Sequence, residues 1–82
     1  MNWPIWWDWE LEITPHVETR MEERNFTEID LRTMLDRADT FEPDEIEGRY
    51  MIQTRHRRDG WIIIVEPDED DHLLVVITAF RI

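Results

Sequence analysis

The stretch WIIIVEPDEDDHLLVVITAFR, residues 61–81, consists of two apolar segments joined by an acidic turn. The segments Trp61–Glu66 and Leu73–Arg81 are rich in β-branched residues, which favour strands. Apolar residues occupy both alternating faces of each segment, a pattern typical of strands that are covered on both sides. We therefore expect these two strands at the centre of a sheet, with Pro67–Asp71 as the turn between them.

An extended segment, Ile46–Arg57, comes before these two strands. Its side chains alternate, with Tyr50, Ile52 and Thr54 predicted on one face, as in a strand with two different faces. The tripeptide Arg58-Asp59-Gly60 follows and is a hairpin signal. The C-terminal half of the chain therefore predicts three consecutive strands, the first two of which form a hairpin.

The N-terminal half predicts one strand and two helices. Trp7–Ile13 (WDWELEI) alternates apolar and acidic residues, which indicates a half-buried strand. Thr14 can cap a helix that starts at Pro15 and extends to about Asn25. A second helix is predicted from Thr27, as part of a capping box (TEID), to about Asp39.

The complete pattern predicts an α+β fold with the order β-α-α-β-β-β. Two N-terminal helices would pack on a mainly antiparallel sheet, within a single domain spanning residues 1–82 that includes a Trp-rich N-terminal strand. A chain of this length has one core of modest size. If both helices lie on one face, the other face needs a cover, and the candidates are Trp3, Trp6 and a partner chain.

The composition excludes several kinds of site. The chain has no cysteine and no serine, and only two glycines, so thiolate zinc sites, Ser or Cys nucleophiles and glycine-rich phosphate loops are ruled out. DEDDH, residues 68–72, lacks the glycine and the terminal glutamate of an EF-hand loop. We expect no metal and no cofactor. Because no apolar run is long enough to span a membrane and no basic N-terminal segment resembles a signal peptide, we expect a cytoplasmic protein without a membrane partner.

The charge is strongly negative. Twenty acidic residues face nine basic ones, a formal net charge of −11, and all nine basic residues are arginine. Such a chain repels nucleic acid at long range, whereas arginine is well suited to bidentate contacts with phosphate or carboxylate. The composition of a GC-rich or salt-adapted genome would explain the same bias without any site.

The first cationic cluster, which we name the helix stripe, consists of His16, Arg20 and Arg24. These residues lie one turn apart along the predicted first helix, beside an apolar stripe of Val17 and Met21. Histidine can act as a general base near neutral pH, and arginine can hold a phosphate. Alternatively, the arginine stems cover apolar surface and His16 completes the start of the helix.

The second cluster is Arg55–Arg58 (RHRR), which we name the RHRR segment. It lies at a strand end beside a hairpin turn, where functional groups are common. A solvated strand end that pairs with nearby acids is the alternative interpretation. If this strand end lies over the first helix, the two clusters form one positive cleft. The distance from His16 to Arg55 or Arg57 therefore decides between the two interpretations.

Four segments carry a diffuse resemblance to a known family: HVETRMEERNFTEIDLRTML, GRYMIQTR, WIIIVEPD and LLVVITAF. Together they resemble a small bacterial domain family of unknown function that is grouped with the RelE/ParE-like toxins, in the wider barnase and colicin-type ribonuclease fold. The resemblance implies a metal-independent ribonuclease in which the ribose 2′-hydroxyl attacks the neighbouring phosphate. The chain departs from relatives at Phe80, where they often carry tyrosine, and at Asn25, where they often carry glycine.

The resemblance implies the following roles: His16 as base or acid, Arg20 and Arg24 as phosphate ligands, Arg55 or Arg57 approaching from the sheet, and Thr78 from the last strand. The function it implies is a toxin-like endoribonuclease of the mRNA interferase type, with RNA as substrate and a cognate antitoxin as partner. The alternative is a non-catalytic protein-interaction module of the same fold, which could form a homodimer through the Trp-rich N-terminus. A purely structural acidic domain would instead have its arginines paired with acids.

Overall fold

The computed structural model describes residues 3–82, and its elements follow the predicted α+β pattern with two additions, a 3₁₀ turn at the start and a short strand after the second helix. A 3₁₀ turn, Ile5–Asp8, comes first. The strands are β1 (Glu10–Ile13), β2 (Thr40–Pro43), β3 (Tyr50–His56), β4 (Asp59–Asp68) and β5 (Leu73–Arg81), and the helices are α1 (Pro15–Arg24) and α2 (Glu28–Asp36). The described chain has no helix long and apolar enough to cross a membrane.

The five strands form one mixed sheet in the order β1-β5-β4-β3-β2. β1 lies parallel to β5, and the other three pairings are antiparallel. The two strands that the apolar segments predict, β4 and β5, lie inside the sheet, with β4 at its centre. The prediction of a mainly antiparallel sheet with internal β4 and β5 is therefore confirmed.

Both helices pack on the same face of the sheet. The core combines buried side chains of the helices and the sheet with two tryptophans of the N-terminal segment. Its fully buried members include Val17 of α1, Leu31 of α2 and Ile63 of β4. Capping defines both helix starts and the end of α1 as predicted, because Thr14 caps α1, Thr27 and Asp30 form the capping box, and Asn25 is left-handed. α2 ends at Asp36, three residues before the predicted end at Asp39.

The predicted strand Trp7–Ile13 is only half correct, because β1 begins at Glu10. Trp6 and Trp7 are both 6% exposed and belong to the same core. Adjacent residues of a strand point to opposite faces, so a 3₁₀ turn is what allows both indole rings to point inward. The Arg32 guanidinium stabilises this turn by donating to the carbonyl oxygens of Trp7, at 2.8 Å, and Trp9, at 2.6 Å.

The chain between α2 and β3 contains a strand that the sequence pattern does not predict. β2 has only four residues, ends in a proline and pairs with β3 as an edge strand, which is where proline is tolerated. The predicted strand start at Ile46 is four residues too early. Ile46–Arg49 forms a turn instead, with Gly48 at a φ of +87° and the Arg49 N–H donating to the Ile46 carbonyl. The complete order is therefore β-α-α-β-β-β-β.

The face of the sheet opposite the helices carries Ile62 and Ile64, which lie outside the core. Their exposures are 5% and 9%. Trp3 and Trp6, predicted as possible covers of this face, pack on the helix side instead. Trp3 stacks on Trp7 with ring centroids 4.3 Å apart. No layer formed by residues 3–82 covers this second face.

Candidate functional site at the start of the first helix

The start of α1 is fixed to β5 by one threonine. The Thr14 side-chain oxygen accepts a hydrogen bond from the Val17 N–H at 3.4 Å, as a helix cap does. The same hydroxyl donates to the Val76 carbonyl oxygen at 3.0 Å. Because β1 ends at Ile13, which lies opposite Val76, the first turn of α1 lies beside the part of β5 that β1 leaves unpaired.

At this place His16 meets Thr78. The His16 Nε2 atom lies 3.1 Å from the Thr78 hydroxyl oxygen, although the two residues are 62 positions apart in the chain. A β-bulge precedes the contact, since Ile64 pairs with Thr78 and Val65 pairs with Val76. The extra residue, Ile77, bends β5 and changes the direction of the side chains that follow it. Two of the six predicted site residues are therefore in direct contact.

The contact constrains the chemistry of the His16 ring, which is exposed to solvent. When Nε2 donates to the Thr78 hydroxyl, Nδ1 carries a lone pair and can accept a proton. When the Thr78 hydroxyl donates to Nε2, Nδ1 carries the proton and can release it. The hydrogen bond thus orients the imidazole in both tautomers and leaves Nδ1 free for a substrate.

The two arginines of the helix stripe continue from His16 along α1. Arg20 is half-buried and Arg24 is exposed. The ion pairs of the described chain involve Arg49, Arg55 and Arg81, and neither stripe arginine takes part in one. With a rise of 1.5 Å per residue, Arg24 lies about 12 Å along the helix axis from His16. The stripe presents two unpaired guanidinium groups next to an oriented histidine.

The RHRR segment is used locally. Arg55 pairs with Asp39 at 3.9 Å on the surface. Arg57 and Arg58 form the two-residue loop of the β3–β4 hairpin, one position before the predicted turn, with φ values of 51° and 75°. The ring of His56 packs edge-on against Phe26, with ring centroids 6.2 Å apart. Its Nε2 is buried without a hydrogen-bond partner among the described residues.

The hairpin loop also acts on the start of α2. The Thr27 backbone N–H, which donates to the Asp30 carboxylate at 2.8 Å, holds the pKa of Asp30 below its ordinary value. The charges of His56 and Arg57 lower this pKa further, with a smaller effect. The hairpin therefore lies close enough to the start of α2 for its charge to act on Asp30.

The register gives the separation between the two clusters. Thr78 lies opposite Ile64 and Met51, whereas Arg55 lies opposite Gly60, four residues further along. With about 3.3 Å per residue and about 4.8 Å between strands, the backbones of Thr78 and Arg55 are about 16 Å apart. The backbone of Arg55 is therefore well separated from the contact between His16 and Thr78, and no hydrogen bond or ion pair among residues 3–82 joins the RHRR segment to the helix stripe. The candidate site consists of the helix stripe and Thr78.

His16 was selected by residue type and Thr78 by the resemblance, but neither signal predicts that they touch or what positions them. The cap role of Thr14 was predicted, whereas its bond to the Val76 carbonyl and the bulge at Ile77 depend on strand pairing and leave no local signal. Phe80, at the place of the tyrosine expected from the resemblance, is 42% exposed. It lies opposite Ile62, on the sheet face away from the helices.

Residues 3–82 contain no group of three or more His, Cys, Asp or Glu side chains arranged to hold a metal ion. Among known proteins, no curated protein and no solved structure matches the chain. One family does match, a domain of unknown function (DUF4258), over residues 13–81. This range includes both helices, all strands from β2 to β5 and every residue of the candidate site, and the chain belongs to this family of domains.

Proposed function

We propose that the protein is a toxin-like, metal-independent endoribonuclease of the mRNA interferase type. The observation that carries the proposal is the hydrogen bond between His16 Nε2 and the Thr78 hydroxyl. A histidine whose ring is oriented by a second side chain, with one nitrogen free toward solvent, is suited to general acid–base catalysis. The unpaired Arg20 and Arg24 supply positive charge on the same side of α1.

The proposed reaction is transfer within the RNA backbone. Nδ1 of His16 accepts the proton of a ribose 2′-hydroxyl, whose oxygen attacks the adjacent phosphorus. A bond forms between the 2′-oxygen and phosphorus, and the bond from phosphorus to the 5′-oxygen of the next nucleotide breaks. The leaving 5′-oxygen takes a proton back from the imidazolium, directly or through water. The products are a 2′,3′-cyclic phosphate and a 5′-hydroxyl end.

The arginines of the helix stripe have a separate role in this proposal. The pentacoordinate phosphorane carries more negative charge on its oxygens than the substrate phosphate does, so fixed cations stabilise it selectively. Arg20, one turn from His16, would contact the reacting phosphate. Arg24, a further turn away, would hold a neighbouring phosphate. Phe80 has no hydroxyl to donate, which assigns both proton transfers to His16.

The relation to the RelE/ParE-like toxins belongs to the same proposal. The resemblance implies two helices on a mainly antiparallel sheet in the order β-α-α-β-β-β, whereas this chain has one more strand, β2; the proposal treats β2 as an addition to that arrangement. In this proposal the RNA substrate is met in the cytoplasm, and an antitoxin holds the activity in check by covering the helix stripe. The protein has a net charge of −11, so its overall field repels RNA. Binding of RNA therefore depends on local contacts between the phosphates and the arginines of the helix stripe.

The test compares the same substitution, histidine to asparagine, at two positions. His16→Asn removes the proposed base, and His72→Asn removes a histidine that stacks on Trp9 at the β4–β5 turn, with ring centroids 4.9 Å apart. Labelled single-stranded RNA is incubated with each protein in the presence of a chelator. We expect His16→Asn to lower the cleavage rate by at least 100-fold, His72→Asn to retain it, and the unmodified protein to produce 2′,3′-cyclic ends. Cleavage that survives His16→Asn would refute the assignment.

A non-catalytic interaction module of the same fold is the second candidate, and the observation that favours it is the missing hydroxyl at Phe80. In that case the helix stripe binds carboxylates of a partner protein. An unmodified protein that leaves RNA intact, together with a co-purified partner that Arg20→Gln releases, would establish this second function in place of the first.

A further inference from the structure

The second flank of α1 has the opposite character to the helix stripe. Glu18 and Glu22 lie on the other side of the buried Val17, since successive helix positions are 100° apart. With Met21, Phe26, Thr27 and Glu28 they line a depression of about 400 Å³ between the two helices. Met21 and Phe26 provide an apolar floor, and three glutamates stand around it.

A second depression lies next to the first. It has a volume of about 280 Å³ and is lined by Glu10, Leu11, Glu28, Ile29 and Arg32. Glu28, in the first turn of α2, lines both depressions, and we name the two depressions together the acidic groove. Ile29, which lines the acidic groove, is 78% exposed. It does not belong to the core of the described chain, and this exposure is unusual for a large aliphatic side chain.

The charges of the acidic groove are unbalanced. Its four glutamates are exposed, and none of them takes part in an ion pair of the described chain. Its single cation, Arg32, already donates to the carbonyl oxygens of Trp7 and Trp9. Glu18 and Glu22 are one turn apart and repel each other, an arrangement that destabilises a helix. A cationic group placed between them would remove this repulsion.

We propose that the acidic groove docks a basic segment of a partner protein, with an aliphatic or aromatic side chain held between arginines or lysines. The apolar floor would bury the central side chain, and the glutamates would pair with the flanking cations. The combination of apolar surface and unpaired carboxylates excludes RNA as the occupant by repulsion. A second copy of this acidic chain is disfavoured for the same reason.

This inference is independent of the proposed ribonuclease activity, because the acidic groove and the helix stripe lie on opposite flanks of α1. The probe is the hexapeptide Arg-Arg-Leu-Phe-Arg-Arg, acetylated and amidated, titrated into the full chain by calorimetry at low salt. We expect a dissociation constant of roughly 10–100 μM that weakens as salt is added. The comparison peptide Arg-Arg-Gly-Gly-Arg-Arg has the same charge and no apolar side chain.

Two triple variants separate the groove from the net charge. E18Q/E22Q/E28Q removes three groove carboxylates, and E45Q/E47Q/E69Q removes three exposed carboxylates elsewhere. We expect about a 30-fold loss of affinity in the first and less than a threefold loss in the second. Ile29→Ser, which changes an exposed residue and so preserves the fold, should weaken binding about fivefold.

Three outcomes would overturn the proposal. The first is equal affinity for the two peptides, and the second is an equal loss of peptide affinity in the two triple variants. Either result would show that the net charge alone attracts the peptide. The third is the absence of binding by the unmodified protein at 1 mM peptide, on the order of the weakest specific affinities. Circular dichroism of each variant verifies that a loss of binding does not come from unfolding.

Discussion

The helix stripe and the RHRR segment have nearly the same composition, one histidine with two or three arginines, but the fold uses them differently. In the helix stripe, His16 is bound to Thr78 from the other end of the chain, and Arg20 and Arg24 have no ion-pair partner in the described chain. In the RHRR segment, Arg55 pairs with Asp39.

The difference shows that charge density along a sequence is a weak indicator of a site. The RHRR segment has the higher local density of cations, but each of its members has a local role in the fold. His56 packs on Phe26 and Trp61, and the hairpin loop contributes charge to the start of α2. What distinguishes the helix stripe is a contact across 62 residues, which only the folded chain can provide.

The largest expected effect comes from removing two cations from each region in turn. Arg20→Gln with Arg24→Gln should lower RNA cleavage by at least about 100-fold, because it removes the two arginines proposed to hold the reacting phosphate and its neighbour. Arg57→Asn with Arg58→Gly removes the same charge, and cleavage should stay within about twofold. Initial rates on a single-stranded RNA measure both.

The double variant Arg57→Asn with Arg58→Gly is a strict control, because we expect it to keep the fold and its stability. Arg57 and Arg58 adopt positive φ values, and Asn-Gly is the preferred pair for such a two-residue loop. We expect its melting temperature to be equal to or above that of the unmodified protein. Similar losses of cleavage in both double variants would remove the distinction between the two regions.

The second prediction tests whether Thr78 positions His16, the proposed base. Thr78→Val keeps the side-chain shape and removes the hydroxyl, so His16 loses its orienting bond, which is worth about 1 kcal/mol. We expect kcat to fall about fivefold with KM nearly unchanged, and Thr78→Ser to restore most of kcat. A change in KM alone, or no recovery by serine, would contradict a positioning role.

The parts of the fold that the sequence predicts are those with strong local signals. The apolar segments Trp61–Glu66 and Leu73–Arg81 predict β4 and β5, and Thr14 and Thr27 mark the helix starts. The short β2 was missed because four residues that end in Pro43 carry almost no strand signal. The 3₁₀ turn at Trp6 and Trp7 was missed because an alternating sequence fits a strand equally well until the core is known.

The candidate site divides in the same way. Residue type and helical spacing indicate His16, Arg20 and Arg24 from the sequence alone, and the resemblance adds Thr78. Whether Arg55 or Arg57 lies near these residues depends on the register of β3 with β4. The sequence of one strand does not specify this register. The bulge at Ile77, which precedes Thr78, is of the same non-local kind.

The third prediction concerns the bond that holds the helix stripe against β5. Thr14→Val removes both the helix cap and the hydrogen bond to the Val76 carbonyl. We expect the free energy of unfolding to fall by about 1–2 kcal/mol, measured by urea denaturation. Thr19→Val is the matched control, because its hydroxyl only donates to the Pro15 carbonyl within α1 on an exposed surface, and it should change stability by less than about 0.5 kcal/mol. Equal losses in the two variants would mean that Thr14 does not fix α1 to the sheet.

The smallest effect is expected at the start of α2, where the RHRR segment has its local role. The folded-state pKa of Asp30 is lowered mainly by the Thr27 N–H and only slightly by His56 and Arg57. A carboxyl with a lowered pKa stabilises the fold above its unfolded pKa, roughly pH 4, and this contribution is lost as the pH falls through the folded pKa. Arg57→Asn should therefore raise the Asp30 pKa slightly, measured by NMR titration of the carboxyl carbon, whereas Arg24→Gln should leave it unchanged. If Arg24→Gln changed the Asp30 pKa more than Arg57→Asn does, the helix stripe and not the RHRR segment would act on the start of α2.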